Sequence, residues 1–315
     1  MVNIDFIKPF EPVQANIVPQ GNEWIYEMKW DGVRIINYYN GDNVRLFNRK
    51  QNERTQQFPE LLDIHSYCKA SSVILDGEVI ALGENGKPSF HQVMRRDALR
   101  NMDKVKQLIP ILSVFYCIFD IVYYNDEWVN DWHLSDRKDL LSEIITPNEF
   151  IQLTPSYDDG ETLFDVTKQQ GMEGIVAKKL SSTYAFGGKD NRWLKIKNFQ
   201  DIIAVVGGVT YRNGIVNAIL LGLYDNDMNL HYIGHAGTGK LTQNDWRILT
   251  NFVDQLKIAQ KPFVNEPERA KDAQWIKPSL TVKIKYIEWP KGRSIRQPSI
   301  QSFVDIPPTE CLLPK

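Results

Sequence analysis

Short runs rich in β-branched and aromatic residues divide the first two hundred residues, and this spacing constrains the fold more than any other feature. Strand-like runs occupy residues 24–29, 34–39, 44–47, 73–81, 114–124, 174–178 and 193–197. Helical patterns lie between them at 58–67, 90–96, 137–145 and 162–170. Gly41-Asp42 separates two strand-like runs, which predicts an antiparallel hairpin. The pattern favours an α+β domain built on antiparallel sheets.

After residue 198 the pattern changes to longer strands in a mainly β segment. Strand-like runs at 202–209, 216–224, 231–236 and 279–289 surround one helical stretch at 244–256. About five strands with one embedded helix predict a small Greek-key β-barrel of the OB type. We therefore expect two domains, at residues 1–198 and 199–315.

Composition excludes several classes of protein. With 43% hydrophobic and 24% charged residues, the chain has an ordinary soluble composition, and its net charge of −2 means that any surface for nucleic acid must be local. Cys68, Cys117 and Cys311 lack metal-binding spacing, which favours free thiols. The longest apolar run, 114–124, is interrupted by Asp120 and is too short for a bilayer. We expect a cytoplasmic monomer with no membrane segment.

The candidate chemistry begins at Lys29 in Lys29-Trp30-Asp31-Gly32, which is followed by Arg34. Such a lysine can carry a nucleotide covalently. Asp76 and Glu78 are spaced to lie on one face of a strand, where carboxylates can hold a ribose hydroxyl or a metal. Phe119 offers a flat surface for adenine, although an aromatic residue in a strand more often packs in the core.

Further charged residues fit the same chemistry. Glu173 precedes a buried strand, and Lys195 and Lys197 share one strand face. Each could be a solvated surface residue on its own. Together with Lys29 they suit phosphoryl transfer, where catalysis is mostly positioning and charge neutralisation. Carboxylates such as Glu78 and Glu173 are also ligands that Mg²⁺ accepts.

The motifs in this order resemble those of an ATP-dependent DNA ligase of the covalent nucleotidyltransferase superfamily. The resemblance is greatest to the ligase modules of bacterial end-joining enzymes. The segments that resemble the family are Lys29-Trp30-Asp31-Gly32, 48–55, 58–61, 75–80, Phe119-Asp120, 173–178 and 193–197. Segments 206–208, 220–224, 232–234 and 237–239 resemble its OB domain.

The resemblance implies a role for each matching residue. Lys29 would be the nucleophile, Glu27 would lie at the adenine edge, Glu78 would bind ribose, and Phe119 would stack on adenine. Glu173, with Glu78, would assist Mg²⁺ binding. Arg34 and Arg49 would contact ribose or the nick 5′-phosphate, and Lys195 and Lys197 would contact the α-phosphate.

The implied substrates are ATP and nicked duplex DNA, with an end-joining or replication protein as a possible partner. ATP would adenylate Lys29, AMP would move to the 5′-phosphate of a nick, and the 3′-hydroxyl would displace AMP.

Two departures from the family pattern stand out. Gln51 occupies a position where the family often carries glycine, which predicts a different loop path. Phe303-Val304-Asp305-Ile306 corresponds to the family's Arg-x-Asp-Lys and lacks both cations.

Upstream cations offer replacements for the two that are missing. The candidates are Lys283, Lys285, Lys291, Arg293 and Arg296. We predict that alanine at Arg293 and Arg296 slows adenylation of Lys29, because these cations would orient the departing pyrophosphate. An unchanged rate in a rapid-quench assay with labelled ATP would contradict this.

Residues 234–241 nearly form a phosphate-binding P-loop, but Leu241 stands where that motif needs Ser or Thr. We interpret the segment as a turn from hairpin to helix that presents Lys240 to DNA. Lys240, Arg293 and Arg296 are therefore candidate DNA contacts, with Arg34 and Arg49.

Three alternatives remain open at this point. The lysine motif also occurs in RNA ligases and in RNA-capping guanylyltransferases. A nick- or end-binding module without catalysis would explain the missing cations, although it has no chemical need for Lys29.

Overall fold

The computed structural model describes residues 6–290 and 292–314, and the chain divides into two compact units, Met1–Asn198 and Phe199–Lys315. Within the described residues, no helix is long and apolar enough to cross a membrane. Cys68, Cys117 and Cys311 are buried free thiols.

The first unit contains fifteen helices and strands of regular α or β structure among its described residues. In chain order they are β1 (Val13–Ala15), β2 (Trp24–Met28), β3 (Val33–Tyr39), β4 (Val44–Asn48), β5 (Val73–Ile80), α1 (Phe90–Asp97), α2 (Met102–Leu108), β6 (Phe115–Tyr124), β7 (Glu127–Trp128), α3 (Leu134–Ile144), β8 (Ile151–Leu153), β9 (Ser156–Tyr157), α4 (Gly160–Gln169), β10 (Gly174–Lys179) and β11 (Trp193–Lys197).

These strands form two sheets. The first has the order β1-β11-β10-β2-β9, in which only the β1–β11 pair is parallel. The second has the order β4-β3-β5-β6-β7, with β8 added parallel to β6. The expected antiparallel hairpin joins β3 to β4 through Gly41, which has a φ of 93°.

Apolar clusters cover both faces of the first sheet. On one face, Tyr26 and Ile175 pack with Leu163 of α4. On the other, Trp193 joins a cluster that includes Ile36 and Ile74 of the second sheet. The two sheets therefore face each other, and the charged residues of the candidate site lie on these facing surfaces.

The structure differs from the helix predictions at two places in this unit. Residues 58–67 form two short 3₁₀ turns, Pro59–Leu61 and Ile64–Ser66, instead of one helix. Helix α2 was not predicted, although Asn101 caps it by accepting the backbone N–H of Asp103. Seven residues are too short for a clear helical period, so the sequence signal was weak.

The second unit is a five-stranded sheet that curls into a barrel. Its elements are β12 (Gln200–Arg212), β13 (Ile215–Tyr224), β14 (Leu230–Ala236), α5 (Gln243–Val253), β15 (Ala273–Tyr286) and β16 (Ser299–Val304), and the sheet order is β14-β13-β12-β15-β16. The edges meet where Lys240 N–H donates to the Ile300 carbonyl and Ile300 N–H donates to Thr238. This architecture confirms the predicted fold class.

The near P-loop is the segment that closes this barrel. A Cβ at Gly239 would lie 2.1 Å from the Ile300 carbonyl oxygen, so only glycine permits the approach. Thr242 then caps α5 in a reciprocal pair of hydrogen bonds with Asp245. The interpretation as a strand-to-helix turn is confirmed, and the glycines serve barrel closure.

Candidate nucleotidyl-transfer site

The Lys29 loop is fixed by contacts on both sides. Lys29 directly follows β2, and its backbone N–H donates to the Gly174 carbonyl at 2.9 Å. The Trp30 Nε1–H donates to Thr154 Oγ1 at 3.1 Å. A Cβ at Gly32 would lie 2.3 Å from the Val79 carbonyl oxygen. The chain can therefore pass over β5 only with glycine at this position.

Asp31 ties the same loop to a helix. Its carboxylate accepts the backbone N–H of Phe90 at 3.2 Å, at the first residue of α1. A carboxylate is favourable there because helix N-termini carry unpaired donors. Trp30, Asp31 and Gly32 therefore each have a structural role in holding the loop. The Lys29 side chain is the group of this motif that remains as the candidate for chemistry.

The Lys29 amine lies in an ion cluster around Glu173. Its Nζ is 2.8 Å from Glu173 Oε2, and Lys197 Nζ is 2.9 Å from Glu173 Oε1. Burial of Glu173 opposes ionisation, but Lys29 and Lys197 together hold its pKa below the usual value. Glu173 is therefore an ionised carboxylate that holds two predicted active-site lysines.

Strand alternation places Lys195 on the same face. Val176 of β10 pairs with both Glu27 of β2 and Lys195 of β11, so these three residues form one row across the sheet. Partial burial, and then the charges of Lys197 and Lys29, lower the pKa of Lys195. The predicted pair Lys195 and Lys197 is thus directed to the Lys29 side of the sheet.

Glu78 faces this cluster from the second sheet. It lies opposite Arg34 in the register of β3 and β5, and its side chain is partly buried. Within the described residues, its carboxylate has no hydrogen bond or ion pair. Burial raises the pKa of Glu78 to about 8, although Lys29 and Arg34 favour the ionised form. A carboxyl group with no hydrogen bond to another described residue suits the predicted ribose contact.

Glu78→Gln should weaken adenylation and stabilise the protein at alkaline pH. In the wild type, the folded state favours the neutral form of Glu78. The stability that this group contributes is fully present below pH 4.5 and is lost as the pH rises through about 8. We expect Glu78→Gln to exceed the wild type in free energy of unfolding by up to about 5 kcal/mol well above pH 8, and to match it near pH 4. Urea unfolding across this range, beside the exposed control Glu84→Gln, measures the difference. A constant offset at every pH would contradict the assignment.

Arg34 is committed to contacts within the protein. Its guanidinium binds both oxygens of Asp76, donates to the Phe10 carbonyl at 2.6 Å, and donates to Tyr184 at 3.2 Å. Asp76 was predicted to share a ligand with Glu78, but it is instead the partner of Arg34. The predicted contact of Arg34 with ribose or a DNA phosphate would require it to leave Asp76.

Phe119 lies beside two cations of the same layer. Its ring is partly exposed, 4.6 Å from Lys178 Nζ and 5.3 Å from the Arg34 guanidinium. The ring also packs edge-on near Trp193. Phe119 therefore combines core packing with an open side, and the predicted stacking on adenine stays a prediction.

Glu27 is held by lysines that the sequence did not identify. Its two carboxylate oxygens pair with Lys138 and Lys178, the latter at 2.6 Å, and only 2% of the residue is exposed. Lys178 shares a strand face with Val176, so alternation could have found it. Lys138 comes from α3, far along the chain, and no sequence signal linked it to Glu27.

Arg49 lies in an exposed loop directly after β4. Its guanidinium is 3.5 Å from Glu11. Gln51 has a φ of 62°, which is the left-handed conformation that favours glycine. The loop therefore adopts the backbone conformation that glycine favours, at the cost of some strain.

The second unit contributes exposed cations. Lys240 and Arg293 are exposed, and Arg296 pairs with Glu288 at 2.8 Å. Lys283 lies 3.5 Å from Asp201, while Lys291 falls outside the described residues. Phe303 and Val304 end β16 and supply no charge. The proposed replacement of the missing cations by Arg293 and Arg296 stays a prediction.

A divalent cation fits the residues around Lys29. No group of three metal-ligating side chains occurs within the described part of the chain. Mg²⁺, however, commonly binds one or two carboxylates together with substrate phosphates and water. The carboxyl group of Glu78 and the ionised Glu173 face the same amine from two sheets. This donor set suits an ion that arrives with a nucleotide.

Sequence comparison accounts for this arrangement. Residues 7–197 match the ATP dependent DNA ligase domain, and residues 212–304 match the ATP dependent DNA ligase C terminal region. The chain belongs to the ATP-dependent DNA ligase family. It is an enzyme family, and ATP use is common to its members.

Individual relatives agree with this assignment. The DNA ligase of Thermococcus onnurineus is 28% identical across 94% of this chain. The multifunctional non-homologous end joining DNA repair protein LigD of Mycobacterium tuberculosis is 28% identical across 89%. The chain spans 54% of the first protein and 36% of the second. A structure of mycobacterial DNA ligase D complexed with ATP and MES is 26% identical, covers 97% of this chain and 98% of its own, and has a TM-score of 0.55.

Proposed function

We propose that this chain seals 5′-phosphate/3′-hydroxyl nicks in duplex DNA with ATP, through AMP carried on Lys29. The observation that carries the proposal is the Glu173 cluster. It brings the amine of Lys29 and that of Lys197 to opposite oxygens of one carboxylate, although Lys29 and Glu173 are 144 residues apart in sequence. The complex of mycobacterial ligase D with ATP supports the choice of nucleotide.

In the first step the Lys29 amine, after losing a proton, attacks the α-phosphorus of ATP. An N–P bond forms, the bond between the α-phosphorus and the bridging oxygen breaks, and pyrophosphate leaves. Glu173 fixes the position of Nζ through its 2.8 Å hydrogen bond. Lys195 and Lys197 lie on the same face and would stabilise the charge on the phosphate oxygens.

The second and third steps use DNA. The 5′-phosphate of the nick attacks the phosphorus of lysine-AMP, which frees the amine and leaves AMP on the DNA end. The 3′-hydroxyl then attacks the 5′-phosphorus and releases AMP. Glu27, Glu78 and Phe119 would hold the nucleoside through these steps, with the base beside Phe119.

Mg²⁺ would be held by Glu78 and Glu173 together with the nucleotide phosphates. When bound, it neutralises phosphate charge and polarises the reacting phosphate. Its charge would also offset the unfavourable ionisation of Glu78 in its buried position, because a nearby cation lowers the pKa of a carboxylate.

The candidate DNA contacts lie in both units. In the first unit Arg49 is exposed, and Arg34 becomes available only if it leaves Asp76. In the second unit Lys240, Arg293 and Arg296 would bind the phosphate backbone, so affinity should fall with salt. We further propose that the protein acts as a cytoplasmic monomer. The likeness to LigD supports a role with an end-joining protein, and a replication protein is the alternative partner.

The decisive experiment combines mass spectrometry with a sealing assay. The purified protein is incubated with Mg²⁺ and either ATP or GTP, and its intact mass is measured. It is then mixed with a duplex that contains one 5′-phosphorylated nick in DNA or in RNA. We expect one AMP adduct with ATP, none with GTP, and sealing of the DNA nick.

Each alternative predicts a different result. A GMP adduct indicates a capping-type enzyme, and sealing of RNA alone indicates an RNA ligase. Salt-sensitive nick binding without an adduct, and without sealing of pre-adenylated DNA, indicates a binding module and overturns the proposal.

A further inference from the structure

A basic cleft lies at the meeting point of three loops in the first unit. Residues 8–11 run beside the turn at 187–190, since Gly187 N–H donates to the Lys8 carbonyl and Glu11 N–H donates to the Gly188 carbonyl at 2.9 Å. The loop after β4 forms the third side. The residues that line this cleft are Lys8, Glu11, Arg49, Lys50, Gln51 and Lys189.

The cleft contains four cations and one carboxylate. Glu11 Oε1 lies 3.5 Å from Arg49 Nη1, and Glu11 Oε2 lies 3.7 Å from Lys189 Nζ. Both distances exceed those of the tight pairs around Glu173, and the side chains of Arg49 and Lys189 are more than half exposed. One carboxylate therefore bridges two cations loosely and leaves excess positive charge.

We propose that Glu11 competes with a DNA terminal phosphate for Arg49 and Lys189. These two cations bind the phosphate only after their ion pairs with Glu11 have broken. The inference rests on the proposed function for the identity of the ligand. A terminal phosphate carries close to two negative charges at neutral pH, whereas Glu11 carries one. The phosphate therefore displaces Glu11, while a 5′-hydroxyl end supplies no group that can do so.

Glu11 thereby sets the strength of nick binding. Its hold on the two cations is weak, because exposed ion pairs contribute little in water. Removing its charge should release both cations for the ligand without disturbing the loop, since its backbone N–H makes the contact with Gly188. Lys189 becomes a phosphate-binding residue together with Arg49.

The test measures equilibrium binding by Glu11→Gln in EDTA without ATP. Two nicked duplexes are compared, one with a 5′-phosphate and one with a 5′-hydroxyl. We expect the affinity for the phosphorylated nick to rise about 3- to 10-fold at low salt, and that for the hydroxyl nick to change less than about twofold. Lys189→Gln should weaken binding of the phosphorylated nick alone.

The matched control is Glu53→Gln. Glu53 also pairs with an arginine, Arg45, at 2.8 Å, but it does not line the cleft. It should change binding of both duplexes equally. An equal gain for both duplexes in Glu11→Gln, or no gain, overturns the inference.

The binding assay also separates this inference from the proposed function, because it needs no adenylation. If the protein forms no lysine-AMP but shows the 5′-phosphate effect, the role of Glu11 is supported and the ligase activity is overturned. If the protein seals nicks but lacks the effect, the ligase activity is supported and the role of Glu11 is overturned.

Discussion

Lys29→Arg should abolish the AMP adduct, with a loss of at least about 10³-fold in the rate of adenylation. The substitution keeps a positive charge beside Glu173, but a guanidinium remains protonated and has no free lone pair for attack on phosphorus. Intact mass spectrometry after incubation with MgATP measures the adduct. An arginine variant that still gained AMP would show that another residue is the nucleophile.

The matched control for this variant is Lys168→Arg. Lys168 is an exposed residue in the last turn of α4, so the same substitution should leave adenylation unchanged. Lys29→Arg should also still seal a nick that already carries AMP, because the third step does not use the Lys29 amine. Loss of this sealing would indicate that the substitution disturbs the site more widely.

Arg137→Met should lower the free energy of unfolding by about 3–5 kcal/mol. Arg137 and Asp120 are both fully buried, and the guanidinium binds both carboxylate oxygens, at 2.7 and 3.0 Å. It also donates to the backbone carbonyls of Trp132 and Ser182. Removing the cation leaves a buried carboxylate without its partner. Urea unfolding followed by circular dichroism measures the loss.

The pH dependence of this variant is also fixed in sign. Burial alone would raise the pKa of Asp120, but Arg137 holds it below the usual value. The stabilisation is therefore present above the unfolded pKa and is lost as pH falls through the folded pKa. The difference between the wild type and Arg137→Met should shrink in acid.

Two further variants bracket the expected size. Arg45→Met breaks an exposed pair with Glu53 and should cost less than about 1 kcal/mol. The double change Asp120→Leu with Arg137→Met removes both charges and should be less destabilising than Arg137→Met alone. If Arg137→Met were as stable as Arg45→Met, the interpretation of Arg137 and Asp120 as a costly buried pair would be wrong.

Sequence reasoning worked best where function and backbone geometry require particular residues. Lys29, Glu173 and Lys197 were predicted as a set, and the structure places both lysine amines within hydrogen-bonding distance of the Glu173 carboxylate. The predictions were weaker for residues whose role is to pair with another side chain. Asp76 was expected to share a ligand with Glu78, but Arg34 occupies it, and only tertiary packing decides which carboxylate keeps a partner.

The missed residue Lys138 illustrates the limit. It lies in α3, 111 residues from Glu27, and α3 packs on β6 of the second sheet. Lys138 reaches Glu27 only because the two sheets face each other. The cleft around Glu11 has the same origin, since its three loops come from distant parts of the chain. Surface lysines and glutamates are common in any sequence, so no local pattern predicts which of them come into contact in the folded chain.

The sequence by itself determined the alternation of strands and the order of the motifs, and these motifs predict nucleotidyl transfer. These features are local, because strand period and the need for glycine at Gly32 act over a few residues. The tertiary structure alone decided the partners of each charge: Arg34 with Asp76, Arg137 with Asp120, and Glu78 with none among the described side chains. The physical reason is that burial makes an unpaired charge costly, and only the packed sheets determine which charges are buried together.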